Sequence, residues 1–440
     1  MEQNNSNFLR EQIKDRPINK KKLMRRTFIT AAMAVVFALV ACLVFTVLEP
    51  VLSNWMYPEK EPEIITFPEE ENEILPEDML TDKEEEEQQV SLSPSYEETE
   101  GIVDQQISAM FASFKLDVDD YKTMYSALGL VAEEAARSMV TVTGVKSDVD
   151  WFDNVYQSKG QTSGIIIGEN GKQLLILAQK SVSDKAESIV ITFVDGQQCL
   201  AECKASDVNT GLAVYTVPLE NLQPGTTEQI KIAELGSSIN TKLVGMPVIA
   251  IGSPMGTAGS VGYGMITSAN GSISMRDTSY KLLSTDIYGS QNATGVLINL
   301  KGQVLGVIDC SRNGSDMKNM ISAIGITELK QIIEKISNGI PVAYLGVHLA
   351  DVPQMAHDEQ GVPYGAYVTS IEMGSPAMEV GIQSGDVIIR FGETPINNSM
   401  DLSKCIYRTD AQTQVELLVQ RKGPEEYREM TLTLTLGILE

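Results

Sequence analysis

The sequence predicts a mostly β protein, with a strand-rich central domain, a smaller unit behind it and one transmembrane helix near the N-terminus. Short apolar runs recur from about Met139 to Ile308, divided by NG, DG and KG turn pairs, which is the pattern of an all-β sandwich or barrel. A charge-free run stands near the N-terminus, and a Glu- and Pro-rich stretch separates it from the strands.

The charge-free run is TFITAAMAVVFALVACLVFTVL, Thr27–Leu48. Its 22 residues, at a helical rise of ~1.5 Å each, reach about 33 Å and so cross a hydrocarbon core of about 30 Å. Met1–Arg26 carries eight Lys/Arg against three Asp/Glu, so the N-terminus is expected in the cytoplasm and the remainder outside the membrane. RRTFIT resembles a twin-arginine export signal and LVAC a lipoprotein cleavage box. The apolar run continues past Cys42, however, which favours an uncleaved single-pass anchor in a bacterial-type cytoplasmic membrane.

The net charge is -25, which argues against a nucleic-acid partner. Eighteen Asp/Glu against two Lys between Glu59 and Asp104 account for -16 of it. This acidic, Pro-containing stretch lacks a sustained apolar period and reads as a disordered spacer. Cys199, Cys203, Cys310 and Cys405 show no metal-like pairing and read as small buried hydrophobes. Neither a metal cluster spacing nor a Gly-rich phosphate loop appears, so no cofactor is implied.

Order is expected from about Val118, with an acidic-started helix and then a strand from Met139. ITELKQIIEKISNG, Ile326–Gly339, reads as a closing helix with Gly339 as its stop. The expected division is a basic cytoplasmic tail (1–26), a transmembrane helix (27–48), an acidic linker (49–117), the β domain (118–339) and the final unit (340–440).

The wording of the β segments resembles the trypsin-like domain of HtrA/DegP serine proteases, and the final hundred residues resemble the PDZ domain that follows it there. AIGSPMG, Ala250–Gly256, is similar to the family turn A-I-G-N-P-x-G. DVNTGLAVYTV resembles D-x-x-T-D-L-A-V, and STDIYGSQNATGVLINLKGQVLGV resembles the nucleophile loop T-D-x-x-x-x-x-G-N-S-G-G-P-L. The resemblance implies a chymotrypsin/trypsin-like double β-barrel followed by a PDZ domain, and assembly as a homotrimer.

Such a protease needs an imidazole base, a carboxylate that orients it, and a hydroxyl beside oxyanion donors. By the resemblance these positions fall on Lys180, Gly211 and Ala293. Counting forward from Asp286 reaches Thr294 instead, while counting back from Asn299 reaches Ala293. The only two histidines, His348 and His357, lie beyond the β domain. These substitutions read as a degenerate triad, with no catalytic residue and no enzyme activity: a pseudoprotease. The alternative is an active serine-type endopeptidase in which Lys180 works with Ser290 or Thr294, a pairing that other protease classes use.

YLGVHLADV, Tyr344–Val352, resembles a PDZ carboxylate-binding loop and the strand after it. Peptide binding is thereby assigned to Tyr344, Leu345, Gly346 and Val347, with consecutive backbone N–H groups holding a C-terminal carboxylate. The function expected from the sequence is a membrane-anchored scaffold or protein-quality-control sensor that binds polypeptides or C-terminal peptides.

Overall fold

Asp117 begins the first helix of the folded body. Its side chain accepts from the N–H groups of Asp119 and Asp120, and the Asp120 carboxylate accepts in return from the Asp117 N–H. That reciprocal box satisfies donors a helix start would otherwise leave bare, and α1 (Val118–Ala136) follows. The computed structural model describes residues 24–25, 28–40, 42, 62–68, 117–149, 155–239, 242–424 and 426–439.

The first barrel closes in the order β1-β2-β3-β6-β5-β4. Its strands are β1 (Met139–Val149), β2 (Val155–Glu169), β3 (Gln173–Gln179), β4 (Ser188–Thr192), β5 (Gln198–Ser206) and β6 (Leu212–Pro218). Val142, Ile166, Ile176 and Tyr215 fill its centre. The short helix α2 (Pro224–Gln229) leads on to the second barrel.

There β7 (Pro247–Ser253), β8 (Ser260–Met275), β9 (Thr278–Tyr288), β10 (Thr294–Ile298), β11 (Val304–Ile308) and β12 (Met320–Gly325) close as β10-β11-β12-β9-β8-β7. Helix α3 (Ile326–Asn338) buries Ile326, Leu329, Ile332, Ile333 and Ile336, the i, i+3, i+4, i+7 stripe of one helix face. That stripe joins a core shared by both barrels. Gly339 stops the helix at φ 67°, donating to Ile336 O as a left-handed cap.

The smaller unit holds a sheet in the order β14-β15-β16-β18-β19, with β17 beside β16 and β13 paired to β20. Its elements are β13 (Ala343–Tyr344), β14 (Val347–Asp351), α4 (Gln354–Gln360), β15 (Ala366–Ile371), α5 (Pro376–Glu379), β16 (Val387–Phe391), β17 (Thr394–Pro395), α6 (Ser399–Arg408), β18 (Gln414–Lys422), β19 (Tyr427–Thr435) and β20 (Gly437–Ile438). It has its own core around Leu349, Val368, Ile388, Leu402 and Leu417. Helix α6 also reaches the second barrel: Ser403 Oγ donates to Asp277 O at 2.7 Å, and the Tyr407 and Tyr280 hydroxyls meet at 3.2 Å.

Residues 62–68, within the stretch expected to be a disordered spacer, lie along the barrels. Asn338 brackets Ile65, accepting from its N–H at 3.1 Å and donating to its carbonyl at 2.8 Å, while Phe67 N–H donates to Glu334. Ile65 and Phe67 pack on the shared core, a period-two apolar pattern that a Glu- and Pro-rich background hid. Cys199 and Cys310 are buried as expected, whereas Cys203 is exposed on β5, where a bulge interrupts the pairing with β6. Residues 28–40 are helical and exposed. Among the described residues no helix is long and apolar enough to cross a membrane, and the rest of the expected span lies outside them.

Candidate functional site

Strand β3 ends at Gln179, and the chain turns through a short 3-10 segment, Lys180–Val182. Half-buried Lys180 donates its backbone N–H to Gly211 O at 2.8 Å, so two of the three expected triad positions stand side by side. Gly211 sits at φ 68° with open space where a side chain would project; the backbone angle, not crowding, is what favours glycine. Just before it, Asp207 Oδ2 accepts from Thr210 N–H and Oγ1, at 2.8 and 2.6 Å. Beneath Lys180, the Tyr215 hydroxyl bonds Gln179 O and Ser183 Oγ. Burial pushes that phenol up to about 12, so it is an un-ionised strut.

The second barrel supplies the facing loop between β9 and β10. Gly289 N–H donates to Asn319 O, and Ser290 N–H to Pro254 O. Ala293 N–H closes back on Ser290 O at 3.1 Å, and Asn292 N–H donates to Ser290 Oγ at 3.1 Å. The third expected position, Ala293, is buried in the core of the second barrel. The next residue, Thr294, accepts a 3.0 Å hydrogen bond on Oγ1 from Ser163 N–H of the first barrel. Gln179 and Thr294 both line a cavity of about 10 Å³ between the barrels. The structure thus brings the end of β3, at Gln179 next to Lys180, and the start of β10, at Thr294, to one seam.

Close approach explains the glycine that follows. A side chain at Gly295 would collide with the Ile251 carbonyl, where β10 runs beside β7.

The loop Tyr344–Val347 lies where the sequence expected it, between β13 and β14. A Cβ on Gly346 would strike Ser375, and φ is 90°, so the loop needs glycine there. Its three N–H groups are engaged by a residue that sequence reasoning did not single out. Asp277, in the turn joining β8 to β9, accepts from Leu345 N–H on Oδ2 at 2.7 Å, and from Gly346 and Val347 N–H on Oδ1 at 2.7 and 2.9 Å. Burial pushes this carboxyl up to about 6, against the downward pull of those three donors and of His348. His348 Nε2 meets Glu372 Oε1 at 2.8 Å, and Arg276 Nε approaches the same oxygen at 3.6 Å. That imidazole contact is the main cause holding Glu372 below the usual carboxylate range. His357 stacks on Tyr364 and bonds Val362 O, remote from the seam in chain and contact.

Comparison with known proteins fits this geometry. Residues 162–307 match the trypsin-like peptidase domain model, and residues 343–432 match the PDZ domain model. A probable periplasmic serine endoprotease DegP-like from Halomonas elongata is 32% identical over 279 residues, covering 62% of this chain and 56% of that protein. Serine protease Do-like HtrB of Bacillus subtilis is 28% identical over 292 residues, covering 62% of each chain. The chain therefore spans less than two thirds of the length of these relatives. A solved structure described as the HtrA-type protease AlgW with decapeptide superposes with a TM-score of 0.51 at 20% identity, covering 70% of this chain and 97% of that one; this likeness speaks for the fold.

These relatives correct the expectation of a pseudoprotease without enzyme activity. They are named as serine proteases and endoproteases. The expectation rested on Lys180, Gly211 and Ala293 as the triad positions, and these relatives favour its alternative, an active serine-type endopeptidase. The seam holds another hydroxyl, Thr294, and Gln179, the neighbour of Lys180, lines the same cavity; Ser290 lies in the loop just before Thr294. The chain thus carries a trypsin-like peptidase domain with a PDZ domain behind it, and the relatives it resembles are HtrA and DegP-like serine proteases.

Proposed function

We propose that the chain is a serine-type endopeptidase of the HtrA kind that uses a non-standard hydroxyl–lysine pair, Thr294 or Ser290 with Lys180. The observation that carries this reading is the seam itself, where Gln179 and Thr294 line one small cavity and Ser163 N–H bonds Thr294 Oγ1. That bond uses a lone pair of the hydroxyl and leaves its proton available to a base. In the chemistry this pairing allows, the hydroxyl oxygen attacks the peptide carbonyl while its proton passes to a neutral lysine amine. The amine returns the proton to the leaving nitrogen, and water then hydrolyses the acyl ester. A lysine serves as base only when desolvation keeps it neutral, so substrate must close the seam from water.

In the same reading the PDZ domain receives polypeptide C-termini through Leu345, Gly346 and Val347, beside Tyr344. The AlgW relative, solved with a decapeptide, supports this role. Thr27–Leu48 serves as the membrane anchor. The periplasmic naming of the Halomonas relative supports a position of residues 118–339 and 340–440 outside the cytoplasm. The assembled form is a homotrimer.

The test is incubation of the full chain with unfolded casein and a fluorophosphonate, with the label mapped by peptide mass spectrometry. Cleavage and labelling are expected, both lost in Lys180→Met and in either Thr294→Ala or Ser290→Ala. A preparation that neither cuts casein nor takes the label overturns the reading.

A further inference from the structure

Three consecutive backbone N–H groups in a glycine-containing loop form a receptor for one carboxylate. Here all three already hold one, and it comes from the same chain. Asp277 is only 3% exposed, and its donors are 68, 69 and 70 residues away in sequence, across the boundary between barrel and PDZ domain.

The mimicry extends beyond the carboxylate. Asp277 N–H donates to Val347 O at 2.7 Å, and Arg276 bridges His348 in antiparallel fashion. Ser274 Oγ donates to Leu349 O at 3.3 Å. The hairpin turn therefore lies along the start of β14 as an added strand would, with its acidic end in the loop. Ser403 holds the Asp277 carbonyl from the far side. A second carboxylate cannot share these donors: all three are already engaged by Asp277, and two like charges at such range repel.

We propose that Asp277 is the resident ligand of the PDZ carboxylate loop, so that the site is occupied in cis and a polypeptide C-terminus enters only by displacing the β8–β9 hairpin. This rests on the reading of the PDZ domain as a receptor for peptide ends. The free site is a fraction of the population, and apparent peptide affinity is lowered by that fraction. An internal turn carboxylate with no free C-terminus fills the position because its reach and charge match, and because Asp tolerates the left-handed conformation (φ 61°) that aims it inward.

Two measurements on the full chain test it. Fluorescence anisotropy follows a labelled 12-residue peptide with a C-terminal valine, beside the same peptide as its C-terminal amide. Asp277→Ala should bind the acid at least about tenfold more tightly than wild type, with the amide bound by neither. Residue-resolved hydrogen exchange on wild type, which no folding defect can confuse, should show slow exchange at Leu345, Gly346 and Val347 without peptide. It should also show the Asp277 amide opening when saturating acid peptide is added. Equal affinity of wild type and Asp277→Ala, or peptide saturation with the Asp277 amide still protected, overturns the proposal and leaves peptide recognition standing. No binding by either protein overturns the peptide-receptor reading, and the competition drawn from it goes too.

Discussion

The hydroxyl of Tyr280, on β9 of the second barrel, lies 3.2 Å from the hydroxyl of Tyr407, on α6 of the PDZ domain, and both side chains are buried. Burial raises both phenols above their ordinary range, so the pair is a neutral hydrogen bond spanning the two domains. Removing one oxygen takes this hydrogen bond from the other, whereas removing both leaves no half of the pair behind. Tyr280→Phe or Tyr407→Phe should each cost about 1–2 kcal/mol, and the double variant should cost less than the sum. A double-mutant cycle by urea denaturation checks this; strict additivity would mean the hydroxyls do not interact.

Peptide affinity should depend on pH through Asp277. Its carboxyl is at about 6 when docked, against an ordinary 3.8. The docked state therefore binds a proton that the released state does not between those values. The advantage to docking is full below about 3.8 and lost as pH rises through about 6. Affinity of the acid peptide for wild type should fall roughly tenfold for each unit between about pH 6 and 3.8 and level off below, and Asp277→Asn should flatten the profile. The charged and titratable groups around this carboxyl are Arg276 of the same turn, His348 and Glu372 of the PDZ sheet, Tyr344, and Tyr407 of α6. Asp277→Asn leaves all of these in place, so a slope that survives it would assign the effect to one of them.

Gly346→Ala should destabilise the PDZ domain by more than about 2 kcal/mol, because the new methyl meets Ser375 and the backbone is held at positive φ. Thermal melting should show the loss. Pairing the change with Ser375→Gly should recover the crowding part but not the backbone part.

Asn338→Ala should free residues 62–68 while leaving α3 intact. It removes both bonds to the Ile65 backbone, at a cost of about 1–3 kcal/mol to that docking. A Glu-specific protease should then cut after Glu63 faster than in wild type, with no change in the far-ultraviolet circular dichroism.

Much of this architecture is legible in the sequence because it is written locally. Strand periodicity and the NG, DG and KG pairs mark the hairpins, and the Ile/Leu stripe with Gly339 marks α3. The resemblance carries the barrels and the PDZ loop. Asp277 was illegible for a physical reason: an aspartate in a polar turn, MRDTS, looks the same whether it faces water or another domain's backbone. Its significance lies in partners some seventy residues away. Lys180, Gly211 and Ala293 come from the resemblance alone, and the inactivity read from them is overturned by relatives named as serine proteases.

Helix α6 offers Ser403 and Tyr407 to the second barrel, four residues apart and hence on one stripe. Rolling the helix by a single residue, about 100°, would carry both hydroxyls off their partners together. The two bonds therefore select the same helix register, and a turn of α6 that loses one loses the other with it.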